Sequence, residues 1–60
     1  MAKFSVLVDI YQTDGSVIRE TVMVTSSDVP TAQFAASQVV KQRKGVERVK
    51  VVAAAVKVSD

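Results

Sequence analysis

Residues Lys3–Tyr11 alternate without a break: Phe4, Val6, Val8 and Ile10 fall on one parity, Ser5, Leu7, Asp9 and Tyr11 on the other. A period of two over nine residues predicts a half-buried β-strand. The stretch Gln12–Ser16 follows, and its Asp14-Gly15 pair accommodates the positive φ of a hairpin turn. Val17–Val24 is the return strand. Its better apolar face carries Ile18, Val22 and Val24, with Glu20 as the exception, while Arg19 and Thr21 make the opposite face partly wet. Thr25–Asp28 is a loop that offers Ser27 or Asp28 as a helix N-cap. Pro30 suits the first helical turn, where its missing N–H costs nothing. The helix is expected to run to about Lys44 and stop at Gly45, with Lys41, Arg43 and Lys44 complementing its negative end. At 100° per residue Val29, Ala32, Ala35, Ala36, Val39 and Val40 form one stripe of small apolar side chains. Phe34 lies nearly opposite that stripe, beside Ser37, Gln38 and Lys41. The last stretch, Val46–Val58, is rich in valine and alanine, with no proline or glycine, and reads as a third strand. It exceeds the usual ~5–6 residues of a strand. Val49, Val51 and Ala53 share one parity and Val52, Ala54, Val56 and Val58 the other. A strand apolar on both parities is covered on both faces or bulged in the middle.

The order β-β-α-β predicts an α+β fold: a three-stranded antiparallel sheet of order 2-1-3 with one helix packed on one face, because a right-handed crossover places the third strand beside the first. Residues 1–60 make one small domain. On the face away from the helix two zones separate. Arg48 and Lys50 fall near Asp9 and Tyr11, with Arg19 across the sheet, so that end is polar and charge-paired. At the other end Leu7, Met23, Val52, Ala54, Val56 and Val58 gather with nothing above them, and uncovered apolar surface of this kind marks an interface. The third strand is also an edge whose last residues are expected to overhang the start of the first. Lys50 and Lys57 flank its Val51–Val56 segment as gatekeepers against aggregation. A two-fold partner covers this surface in either of two ways, by pairing third strand to third strand or by stacking sheet on sheet. The expected state is a homodimer or a higher even oligomer.

Composition sharpens this picture. A 60-residue chain buries only about 60% of its extended surface. It has no cysteine and no histidine, which removes disulfides, thiolate–zinc sites and the commonest acid–base and nucleophilic groups. A hydrophobic content of 48% is ample for a core and excludes a disordered chain. The longest uncharged run, Val29–Val40, is too short to span a bilayer, and the start, Met-Ala-Lys, has no signal-peptide pattern. The chain therefore reads as a complete cytoplasmic gene product that does not engage membranes. A net charge of +2 argues weakly for any partner.

No arrangement of side chains points to catalysis. The acids Asp9, Asp14, Glu20, Asp28, Glu47 and Asp60 each have a simpler assignment as sheet surface, turn, strand, cap, strand start and terminus. Neither a metal nor a cofactor is expected. Glu20, on the helix-facing parity, needs a partner if buried; Arg43 can reach it, and an edge position open to water is the simpler expectation. Lys41, Arg43, Lys44, Arg48 and Lys50 fall within ten residues and form a candidate phosphate-contacting patch, against the plainer reading of dipole compensation and a solvated surface. Tyr11 is the only plausible stacking platform there, where single-strand binders show several. Phe34, exposed on a polar helix face, is a candidate anchor for another protein. The reading that follows is a non-enzymatic homo-oligomeric protein-interaction module, of the accessory or inhibitor type that small phage and mobile-element genes encode. Nucleic-acid binding through the basic 41–50 patch and a structural subunit of a larger assembly are the alternatives.

Overall fold

The computed structural model describes residues 1–60. Five elements follow in order: β1 (Ala2–Gln12), β2 (Val17–Ser26), α1 (Val29–Lys41), β3 (Val46–Val51) and β4 (Val56–Ser59). β1 pairs antiparallel with β2 on one side and with both β3 and β4 on the other. The fold is the expected α+β arrangement, order β2-β1-β3 with β4 continuing the third position, and the helix packs on one face.

Strand β1 is central because the crossover through the helix returns the chain to its free side, and its alternation is the cleanest in the sheet. Phe4, Val6, Val8 and Ile10 are all buried against the helix side, joined by Val22 of β2. Burial of each such side chain contributes about 1.5–3 kcal/mol. The hairpin between β1 and β2 closes through Gln12 N–H to the Ser16 carbonyl and Gly15 N–H to the Gln12 carbonyl. Gly15 adopts φ +91°. Asp14 keeps a negative φ, and its carboxylate accepts the Ser16 N–H at 2.9 Å. Only one residue of the Asp-Gly pair is left-handed because the loop is a turn followed by a glycine bulge, longer than a two-residue hairpin turn.

Asp28, not Ser27, caps the helix: its side chain accepts the Thr31 N–H at 2.9 Å. The helix ends at Lys41, three residues short of the predicted last residue, Lys44. Arg43 N–H bonds the Val40 carbonyl, tightening the chain into a turn. Gly45 then reverses it at φ +85°, and its carbonyl accepts the Thr13 N–H. The buried helical residues are Ala32, Ala36 and Val40. Val39 of the predicted stripe is 55% exposed, while Gln33 and Ser37 are half-covered instead. The helix is rolled toward the third strand, because the Gln33 side-chain oxygen accepts the Ala55 N–H at 2.9 Å.

The expected thirteen-residue third strand is two strands separated by residues 52–55. Val51 lies opposite Val8, whereas Val56 lies opposite Ser5. Five steps along the third position match three along β1, so two residues are accommodated in an excursion that preserves parity. Ala55 thereby turns into the core, and Val56 returns to the open face. A further register shift between Lys3 and Phe4 brings Ser59 opposite Lys3. The predicted overhang is absorbed by these two irregularities. At about 1.5 Å per residue α1 spans about 20 Å, shorter than β1 at about 36 Å. Ile18 at the hairpin end therefore stays exposed on the helix side. No helix is long and apolar enough to cross a membrane.

Candidate interaction surface

The constant β1–β2 register and the β1–β3 register stack the open face into rows across the sheet. From the hairpin end these are Val17–Tyr11–Arg48, Arg19–Asp9–Lys50, Thr21–Leu7–Val52, Met23–Ser5–Val56 and Thr25–Lys3–Ser59. Val52 takes its place through its N–H, which donates to the Leu7 carbonyl at 2.9 Å.

The first two rows are polar apart from Val17, which is exposed at the hairpin end. The Arg19 guanidinium donates to both Asp9 oxygens, at 2.8 and 3.2 Å. That bond, with the added field of Lys50 from the other side, holds the Asp9 carboxyl below the ordinary aspartate range. The Arg48 guanidinium carbon lies 4.1 Å from the centre of the Tyr11 ring, a cation–π stack. The pairing expected at this end from strand parity is present.

The next two rows hold the apolar side chains Leu7, Met23, Val52 and Val56, with Thr21 and Ser5 as their polar members. Met23 is 54% and Val56 58% exposed, Val52 is exposed, and Leu7 is half-covered by its neighbours. Of the other residues assigned to this surface, Ala54 is exposed within the 52–55 excursion, and Val58 is exposed on β4 near the register shift. Four of the six thus lie in two adjacent rows on one face, and the remaining two sit at its third-strand margin.

The five basic residues are divided. Arg48 and Lys50 lie on the open face of β3, as their partners Tyr11 and Asp9 require. Lys41 is in the last helical turn and Lys44 in the turn after it. Arg43 donates to both oxygens of Glu20, at 3.1 and 2.7 Å. The Arg43 bond lowers the Glu20 pKa. The pair remains open to water, so Glu20 combines both sequence expectations, a partner and a solvated edge. Lys41 and Lys44 make no ion pair. Phe34 is 66% exposed on the outer side of the helix, as its position relative to Ala32 and Ala36 demands.

Two features escaped the sequence. Gln33 looks like an ordinary surface residue, yet it anchors the 52–55 excursion to the helix; no local signal marks an amide that serves a backbone 22 residues away. The second is the uninterrupted edge of β2, whose single register with β1 runs from Tyr11–Val17 to Ala2–Ser26. The structure has no pocket and no cluster of three carboxylates. No protein-family model, curated protein or solved structure matches the chain.

Proposed function

We propose that the chain is a non-enzymatic, homo-oligomeric protein-interaction module that associates with copies of itself through the apolar end of its open sheet face. The observation that carries this reading is the placement of Leu7, Met23, Val52 and Val56 in two neighbouring rows, on the face opposite the only helix. In a chain this small, such a patch has no other element of its own to cover it, and contiguous exposed apolar surface is where subunits meet. The Arg19–Asp9–Lys50 row beside it supplies the polar rim that surrounds an apolar contact. Phe34, on the opposite side of the molecule, remains free for a different protein. A structural subunit of a larger assembly would use the same face and differ in the number of copies.

Light scattering at micromolar concentration tests the reading. Self-association gives a mass above 6.4 kDa that falls on dilution, and Val56→Arg weakens it by placing an unpaired charge in the patch. A 6.4 kDa particle at every concentration overturns it. A second reading, nucleic-acid binding through the 41–50 segment, draws support from Lys41 and Lys44, which have no ionic partner of their own. It is weakened by the division of the basic residues between two faces and by the engagement of Arg43 with Glu20. Fluorescence anisotropy on duplex and single-stranded DNA decides it, since phosphate contacts must appear near 50 mM salt and vanish as salt rises.

A further inference from the structure

We infer that β2 is a second self-association site: its free edge pairs antiparallel with the β2 edge of another copy, in the register centred on Thr21, giving one sheet continuous across two subunits. The inference rests on the reading of the chain as self-associating and adds the edge to the open face.

The direction of the backbone groups on β2 follows from one bond. Gln12 N–H donates to the Ser16 carbonyl at 2.9 Å, so Gln12 and Ser16 are a hydrogen-bonded pair. In an antiparallel ladder bonded and non-bonded pairs alternate, and the β1–β2 register has no shift. Ile18, Glu20, Val22 and Val24 therefore bond inward to β1. Val17, Arg19, Thr21, Met23 and Thr25 direct their N–H and C=O groups away from the sheet. The same alternation on β1 aims the Leu7 carbonyl toward the third position, where it accepts the Val52 N–H.

The two edges of the sheet differ sharply. The third-strand edge is broken at residues 52–55, carries Lys50 and Lys57, and ends in the four-residue β4. Short, bulged and lysine-bearing strands are how proteins close an edge to further pairing. β2 has ten residues, no bulge, no proline, no glycine and no lysine. Its two charges are both held by their own chain, Arg19 by Asp9 and Glu20 by Arg43. The edge presented is therefore long, straight and electrically neutral. The sequence pointed to the third strand as the pairing edge, and the structure points to the other side.

A second copy fits this edge in few ways. A two-fold axis perpendicular to the sheet requires like parities to face each other. Centring on Arg19 or Glu20 sets that charge against itself, at a cost. Centring on Thr21 joins all five outward residues in bonded pairs: Thr21 with itself, Arg19 with Met23, and Val17 with Thr25. On the helix side it sets the exposed Ile18 against Val24 of the other copy. Centring on Val22 leaves Val17 unpaired and sets Ile18 against Ser26. The helix, which lies across the sheet in contact with both β2 and β3, stays on the same side in both copies.

Amide hydrogen exchange on the full chain, followed residue by residue at a concentration where scattering shows association and again after dilution, tests the inference. The Arg19, Thr21 and Met23 amides are expected to exchange about 100-fold or more slowly in the associated state and to speed up on dilution, while Ile18, Glu20 and Val22 stay slow in both. Thr21→Pro removes only an outward N–H, which an edge strand tolerates, and is expected to lose the edge contact while its exchange pattern elsewhere shows an intact sheet. Association in which Arg19, Thr21 and Met23 exchange freely, and which Val56→Arg abolishes, overturns the edge pairing and leaves the open-face reading standing. A chain that stays at 6.4 kDa throughout removes both.

Discussion

Replacing Gln33 by methionine isolates the contact that shapes the C-terminal third of the molecule. The Gln33 side-chain oxygen accepts the Ala55 N–H at 2.9 Å, and Ala55 is buried. Methionine has similar length and helix propensity, so the variant removes the acceptor and little else. The hydrogen bond itself contributes about 1 kcal/mol, and an amide left unpaired in a covered position adds up to roughly another. The expected loss is about 1–2 kcal/mol. That is a large share of the roughly 3–5 kcal/mol available to a core of this size, and corresponds to about 5–15 °C in Tm. Gln33→Glu keeps an acceptor oxygen and is expected to recover most of the loss. Gln38→Met, an exposed change on the same helix, serves as the reference. Urea unfolding followed by circular dichroism, with all variants at one protein concentration because association shifts apparent stability, gives the free energies. Amide exchange at Ala55 and at Val56, which lies opposite Ser5, shows whether β4 loosens first. If Gln33→Met unfolds at the same urea concentration as Gln38→Met, with the Ala55 amide no faster than in the parent chain, the excursion does not depend on this bond.

Three further outcomes follow from the packing and the charges. Val8→Ala, at a fully buried site in the central strand, is expected to cost about 2–3 kcal/mol through lost transfer energy and the cavity left behind, read as a lower urea midpoint with an unchanged slope. Gly45→Ala places a side chain where no atom lies within 4 Å but φ is +85°, so backbone conformation alone should cost about 1 kcal/mol; an unchanged Tm would mean that the turn relaxes. Asp9, Asp14, Glu20 and Asp28 are all held below their ordinary pKa by hydrogen bonds from Arg19, Ser16, Arg43 and Thr31. Folding therefore favours their ionised forms. The stability they add is present above the ordinary carboxylate range and is lost as pH falls through the folded-state values, so urea midpoints should be flat near neutrality and decline below about pH 4. A midpoint that rises on acidification would contradict the pairing.

The sequence by itself determined the element order, the central place of β1 and the two zones of the open face. These rest on local rules, since a two-residue period assigns each side chain of β1 to a face, and a short crossover leaves one topology. The Arg48–Tyr11 and Arg19–Asp9 neighbours were legible for the same reason: once strands pair, parity and register fix who faces whom. The tertiary structure alone decided where the third strand breaks, how far the helix rolls and which edge remains open. Each depends on a balance between distant groups. Val46–Val58 satisfies strand propensity along its whole length, yet Ala55 is drawn inward by an amide on the helix, and two residues must leave the ladder to let it go. That choice gives the third-strand edge its interruption and leaves β2, whose own residues look unremarkable in sequence, as the side with straight, unanswered backbone.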